Sequence, residues 1–477
     1  MKKKIVILGA GFAGLAAALD LLKKGYDVSI IDKESYVGGL CTTFQNKGFY
    51  FDVGGHRLYT KSEQIFNFLN DLLGKDAFIE RKRISRIYLK GHFFEYPLKL
   101  MNVIFNQSLK TVLSIGRDFI IIQFKSIFNK EKNNKENFES WVVSRFGKTL
   151  YTIYFKEYTE KVWKEDPQNL HKELAERRIS FTHLKEVVNK LLGFSKGETP
   201  RTYITELYYP KHGIGDVAEG FKKAILSLGG KFYLETEIKE VLKDTKGYAT
   251  HISCKSSHYE SFKLECDYLL STIPIISFIK YLRSGNFIKL EKKVEDQIRY
   301  QGIICLYLMV NKILSFSDTW LYIPEQKYII FRIVNFTNWS PYMSPENKTS
   351  LCLEISVNHN SIIDYDMIYD EAIRNLEELD LLKKENIEGH FFKEFKHAYP
   401  VYTTNYKSIL SEMDESLKSL NNILTFGRQG AFNYTTMDNT LRVGFEVANH
   451  IAKIDLEKAS TLYDDKFSLL NDKFQEI

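Results

Sequence analysis

Apolar and polar positions over the first thirty-odd residues predict a β-α-β unit. Lys4 to Leu8 is a short apolar run, and Gly9-Ala10-Gly11-Phe12-Ala13-Gly14 opens a helix that continues through Lys24 to Gly25. A second apolar run, Asp27 to Ile31, closes on Asp32. Such a unit starts a doubly wound parallel sheet. From about 76 to 200 the texture becomes long, aromatic and helical, with Lys125 to Glu136 reading as an exposed loop or helix end. Sheet character returns over 203–245, with a strand at Lys231–Leu234 and a buried strand within 264–274 closed by Pro274. A mixed region occupies 281–414, then a strand and glycine turn at 422–430 and a helix from Asp438 to Ala452.

These elements predict an α/β chain: a Rossmann-type nucleotide-binding domain with a doubly wound sheet, and an inserted mixed α+β substrate domain. The first draws on residues 1–75, 203–280 and 415–455, the second on 76–202 and 281–414, and 456–477 reads as a C-terminal helix or tail.

Composition narrows the class. At 477 residues the chain holds two or three domains of about 100–200 residues each. With 44% hydrophobic residues and a net charge of +6, disorder is excluded as the dominant state. Five scattered cysteines (41, 254, 266, 305 and 352), none in a C-x-x-C pair, argue against a disulfide framework and against a metal site, and fit a reduced, cytoplasmic setting. No stretch reaches the roughly 18–20 apolar residues of a transmembrane helix. Met1-Lys2-Lys3-Lys4 imitates a secretory signal, but glycines and Asp20 interrupt the apolar residues after it, and it reads as the approach to a first strand. Lysines alternate with acids, so the basic excess is no nucleic-acid footprint. Residues 112–128 (VLSIGRDFIIIQFKSIF) read as a helix buried between domains, the alternative being a helix peripheral to the inner face of the membrane.

The candidate chemistry begins at Gly9-x-Gly11-x-x-Gly14. The first glycine permits the turn, the second lets backbone N–H groups approach a pyrophosphate, and the third allows close helix–strand packing. Phosphates sit at the helix N-terminus, where unpaired N–H groups and the dipole favour negative charge. Asp32, 18 residues after Gly14, is placed to bond a ribose hydroxyl. Gly38-Gly39-Leu40 then supplies a second glycine pair beside the cofactor.

This arrangement resembles the flavoproteins of the amine oxidase and protoporphyrinogen oxidase class, which implies non-covalently bound FAD. Later motifs resemble the UDP-galactopyranose mutases among them: Phe51-Asp52-Val53-Gly54-Gly55-His56, Tyr158-Thr159-Glu160-Lys161-Val162-Trp163 with Asp166-Pro167, Tyr399-Pro400-Val401-Tyr402, and Phe426-Gly427-Arg428 with Tyr434 and Met437-Asp438. The resemblance implies cofactor contacts from Gly9, Gly11, Phe12, Ala13, Gly14, Asp32, Lys33, Gly39, Leu40, Gly54, Gly55, His56, Ile238, Gly427, Arg428, Met437 and Asp438. It implies a reacting site of His56, Tyr158, Trp163, Arg178, Tyr402 and Tyr434, with His56 near the flavin and the aromatic residues lining a sugar pocket.

Several of these residues also have a blander reading. His56 could be a structural histidine bonded to backbone, Arg428 a surface ion pair instead of a partner for pyrophosphate, and Cys41 is a small packed residue. Glu160 and Lys161 read as a solvated pair.

The sequence also departs from the mutase pattern. Arg178 fits the first arginine of an R-x-P-x-R block, but the second falls on Thr182. A tyrosine–arginine pair is replaced by Tyr300-Gln301, with Arg299 one place out of register, and an aspartate by Thr436. Glutamine carries no charge, so diphosphate binding there is weakened.

The mutase resemblance implies covalent catalysis in which reduced flavin N5 attacks the anomeric carbon of a nucleotide-linked sugar, for pyranose/furanose interconversion in polysaccharide synthesis. The alternative is an FAD-dependent oxidase or dehydrogenase taking hydride from a C–N, C–C or C–O bond. Either leaves room for an external reductant and a homodimer.

Overall fold

The computed structural model describes residues 2–82, 84–96, 107–128, 136–179, 206–257, 260–283, 285–358, 361–457 and 468–469. Its first layer is a five-stranded parallel sheet in the order Ile423–Thr425, Tyr268–Ser271, Lys4–Leu8, Asp27–Ile31, Lys231–Tyr233. Ile5 to Leu8 are all buried because this central strand is covered on both faces, which is why it reads as a continuous apolar run. The helix Phe12–Lys23 carries Ala13, Ala16, Ala17 and Ala18 on its buried surface. Those small side chains let the late helix Met437–Glu457 approach so closely that a Cβ on Gly444 would lie 2.5 Å from the Ala13 carbonyl. The cross-contact brings the start of the late helix to the first glycine turn. A three-stranded antiparallel sheet, Thr236–Lys243, Ala249–Ser256 and Phe262–Glu265, lies alongside.

The second lobe is built on a seven-stranded sheet in the order Ile387–Pro400, Tyr300–Val310, Thr349–Val357, Ile330–Asn335, Trp320–Tyr322, Ser85–Leu89, His92–Glu95. Tyr300–Val310 is buried along its whole length between two antiparallel neighbours. Helices Leu109–Phe128, Phe138–Phe146, Glu157–Trp163 and Lys172–Arg178 complete this lobe.

The structure corrects two expectations. The apolar helix expected over 112–128 runs Leu109–Phe128 and is not buried between domains: Leu113 is 65% exposed and Phe124 59%. Lys161 is not solvated. It is buried, and its ammonium donates to the carbonyls of Ile323, Glu325 and Ile330 at 2.7–2.9 Å, while Glu160 lies 3.8 Å from Lys156. Burial pushes the Lys161 amine down to about 7. The reading of 456–477 as a helix or tail and the departure at Thr182 fall largely outside the described residues. Within them the late helix ends at Glu457, and Ser468 and Leu469 bond the Asp414 carboxylate.

Candidate active site

The three glycines of the first turn have three different surroundings. Gly9 has φ +101°, and a Cβ there would lie 2.4 Å from Thr272 Oγ1. Gly14 is packed so tightly that a Cβ would meet the Gly9 carbonyl at 2.2 Å. Gly11, at the N-cap of helix Phe12–Lys23, faces open space, with nothing within 4 Å of the position a Cβ would take. Opposite it, Gly38 donates its N–H to the Ala10 carbonyl at 2.8 Å, and Gly39 is 3.5 Å from the Gly11 Cα as measured from its own Cβ position. Leu40 lies in the same turn. This is a cradle without side chains in front of a helix N-terminus, and it fits the pyrophosphate of a dinucleotide.

The Asp32 carboxylate accepts the Ala10 N–H at 2.7 Å and the Glu34 N–H at 3.0 Å, so it fastens the cradle, and burial raises its pKa against those two donors. Lys33 is exposed and lies 3.5 Å from Glu34. Phe12 and Ala13 are buried in the first helical turn, and Gly427 (φ +78°) abuts them, with a Cβ there 2.7 Å from Ala13 Cβ. Met437 and Asp438 open the late helix, where Thr436 Oγ1 donates to Asp438 at 2.6 Å. Ile238 is buried at a bulge in its strand.

Past the cradle lies a closed circuit of rings and guanidinium groups. The Arg178 guanidinium is 5.4 Å from the ring centre of Trp163, 5.9 Å from Tyr158 and 5.8 Å from Tyr434. Tyr434 lies 5.9 Å from Tyr399, whose hydroxyl accepts from Arg332 Nη2 at 3.5 Å. Arg332 lies 5.5 Å from Trp320, Trp320 6.3 Å from Tyr322, and Tyr322 5.8 Å from Tyr158, which returns to Arg178. Arg57 stacks on Trp320 at 5.4 Å. Tyr158 and Trp163 belong to one helix that continues from a single wider, π-type turn at Tyr151–Lys156. Five residues apart, they flank Arg178 instead of sharing one face.

Around this circuit, buried polar atoms lack a protein partner: Tyr158 Oη, Arg178 Nη1, Arg57 Nη1, Trp320 Nε1 and His56 Nδ1. Groups of this kind are rare in folded proteins unless a ligand or solvent completes them, so their concentration marks a binding site. Charge obeys the same pattern. Burial alone would raise the Tyr434 phenol, but Arg178, Arg428 and Arg332 outweigh it and hold the group below its ordinary value. Burial raises Tyr158 well above the usual range although Arg178 opposes it. Two tyrosines beside one cation are thus pushed in opposite directions.

Gly54 and Gly55, with His56 after them, border the circuit. A Cβ on Gly54 would meet the Glu354 carboxylate at 2.7 Å, and one on Gly55 the Trp320 ring at 2.8 Å. Burial, reinforced by Arg332 and Arg428, pushes the His56 imidazole down to about 3, so it is neutral across the physiological range. The strand before it ends in Asp52, buried and accepting from Tyr209 Oη at 2.5 Å, Thr43 Oγ1 at 2.6 Å and the Ile214 N–H at 3.1 Å; burial pushes its carboxyl up to about 7.

Not every sequence expectation lands in the circuit. Tyr402 does not line it. The ring is fully buried against Tyr406 at 4.4 Å, and its hydroxyl accepts the Tyr434 N–H at 2.8 Å, so it positions Tyr434. Arg428 donates to the carbonyls of Thr435 and Ala398 and lies 4.5 Å from the Tyr434 ring, so its charge faces the tyrosines where a pyrophosphate partner was expected. Gln301 is buried and donates to the Val357 carbonyl at 2.7 Å, and Arg299 is paired with Glu165. Arg57, Trp320, Tyr322, Arg332 and Glu354 were not anticipated. A signal existed for two of them: Arg332 in IFRIVN and Glu354 in TSLCLEISV are single charges inside apolar strands.

Comparison with known proteins agrees with this geometry. The profile of the family described as flavin containing amine oxidoreductase matches residues 12–448. The chain is 22% identical over 462 residues to a dTDP-fucopyranose mutase of Escherichia coli, covering 95% of this chain and 100% of that one. It is 28% identical over 180 residues to a protein of Klebsiella pneumoniae named as a probable UDP-galactopyranose mutase, covering 37% of this chain and 44% of that relative, less than half its length. A crystal structure of reduced UDP-galactopyranose mutase superposes with a TM-score of 0.83 at 22% identity, over 99% of both chains, which is a likeness of fold.

Proposed function

Because the chain belongs to the flavin-containing amine oxidoreductase family, we propose that it is an FAD-dependent, mutase-like enzyme acting on a nucleotide-linked sugar and interconverting its pyranose and furanose forms. The observation that carries this reading is the circuit around Arg178, in which cations, aromatic faces and buried polar atoms without a protein partner come together, joined to the glycine cradle through Gly427 and Arg428. FAD, when bound and reduced, supplies a nucleophilic nitrogen for the anomeric carbon. The Gly9–Gly14 turn, with Gly38 and Gly39, holds its pyrophosphate, and Asp32 fixes the turn.

The remaining roles fall to the chain's own side chains. Trp163 and Tyr399 offer flat faces to a sugar ring. Arg178 and Arg57 each keep an unpartnered nitrogen, and these neutralise a diphosphate as it leaves and returns. Tyr158 keeps its proton at Oη and donates a hydrogen bond. Tyr434, lowered by its guanidinium neighbours, is the phenol better able to give a proton up. His56 stays uncharged beside the flavin site and adds no cation to it.

A second reading, hydride transfer from substrate to flavin, is favoured by one observation: Gln301 and Arg299 are engaged elsewhere, so the cation expected at that place is absent. The experiment is to incubate dithionite-reduced holoenzyme with UDP- and dTDP-linked hexopyranoses and look for furanose product. Product only from the reduced enzyme supports the mutase. No product from any sugar, with flavin bleaching by an added amine or alcohol under oxidised conditions, supports the oxidoreductase.

A further inference from the structure

The helix Leu109–Phe128 presents two different faces. Inward, Ile115 is buried, and Asp118 accepts the Thr149 N–H at 2.7 Å and fills the space a Cβ on Gly147 would take. Outward, Leu109, Leu113, Ile120 and Phe124 are 74%, 65%, 55% and 59% exposed. Their spacing of four, seven and four residues sets them in one stripe along the helix. Such a run of large apolar side chains is uncommon on a surface that meets only water.

The charges on this face choose the occupant. Lys110 and Arg117 are exposed, and the single acid between Gln107 and Phe124 is Asp118, which is buried and pairs with Arg117 at 3.3 Å, so the net positive charge of this face is that of Lys110. In sequence the next stretch, Lys125 to Glu136, adds four more lysines against two glutamates. A second copy pairing symmetrically along the stripe would set Lys110 of each copy beside the start of the other's lysine-rich stretch at 125, and that contact is repulsive. An anionic lipid surface removes the repulsion and covers the apolar side chains at once.

We propose that the outer face of Leu109–Phe128 docks the enzyme on an anionic membrane surface, lying in the headgroup plane without crossing it. Among the described residues no helix is long and apolar enough to cross a membrane. The proposal does not depend on the substrate reading. Through Asp118 the docking helix is fastened to the turn that leads into Tyr158 and Trp163, so the lipid surface lies against the lobe that carries the aromatic circuit.

Flotation of full-length holoenzyme with vesicles of phosphatidylcholine containing about one-third phosphatidylglycerol tests it. The expected result is co-flotation that weakens with salt and is absent with phosphatidylcholine alone. L113E/F124E should reduce the bound fraction about tenfold, with flavin content and thermal unfolding unchanged. The milder L113S/I120S should reduce it less, and K110Q/R117Q should flatten the salt dependence. No flotation at low ionic strength, flotation indifferent to L113E/F124E, or a dimer in sedimentation velocity that L113E/F124E dissociates without any lipid binding would each overturn the proposal.

Discussion

Arg332 and Glu354 meet across adjacent strands as a bidentate pair, Nε to Oε1 and Nη2 to Oε2, each at 2.6 Å. The same carboxylate accepts the Gly55 N–H at 3.0 Å, so one buried acid holds both the cation of the circuit and the glycine pair before His56. Replacing Glu354 with Ala leaves a buried guanidinium without its counter-charge. The expected loss is about 3–5 kcal/mol in denaturant unfolding. A variant with wild-type stability contradicts the pairing.

Gly11 and Gly14 separate cofactor binding from folding. Gly11→Val puts its side chain into open space, so the protein should fold with unchanged stability and bind FAD at least about tenfold more weakly, read from flavin absorbance after purification. Gly14→Ala puts a Cβ against the Gly9 carbonyl and should lower stability or prevent folding.

Tyr434 should titrate below the ordinary tyrosine value of about 10 in an ultraviolet difference spectrum, and its signal should vanish in Tyr434→Phe. Arg178→Gln should move it upward. A depressed acid stabilises the fold fully above its unfolded value near pH 10, and the contribution fades as pH falls through the lower, folded value. A Tyr434 that ionises with the bulk tyrosines would refute the electrostatic account.

Asp52 has the opposite sign. Its carboxyl is pushed up to about 7 by burial, against an unfolded value of about 3.9, so the folded state holds a proton that the unfolded state has released. The stabilisation is complete below about pH 4 and is lost as pH rises through about 7. Urea midpoints for wild type and Asp52→Asn should diverge in slope over this window, with the amide variant the flatter one. Parallel profiles would show that Asp52 is ionised throughout.

Much of this site is written in local sequence, and part is not. The cradle was legible because each glycine answers a backbone demand within a few residues of itself: a turn at Gly9, an approach at Gly11, a packing contact at Gly14. Tyr158, Trp163, Arg178 and Tyr434 were legible through resemblance, since no spacing rule brings residue 434 to residue 163. Tyr402 was misplaced because a hydroxyl that bonds a neighbouring N–H looks, in sequence, like one that faces a substrate. Trp320 and Tyr322 were missed because their place depends on pairing between strands far apart in the chain, and Arg57 because it reaches Trp320 from a loop remote in sequence. Residues 112–128 were read as a buried helix because their composition is apolar; only the fold reveals which half of it is covered.

The wider turn at Tyr151–Lys156 has a consequence for how such a site can change. A turn of that kind accommodates an additional residue inside a helix while the turns on either side stay in register, so deleting one residue there would restore ordinary winding and leave Glu157–Trp163 oriented as it is. Tyr158 and Trp163 would keep their places beside Arg178, and the side chains that move would be those of the turn itself. The turn is therefore a place where this scaffold can gain or lose a residue immediately before the site while both aromatic walls stay in position.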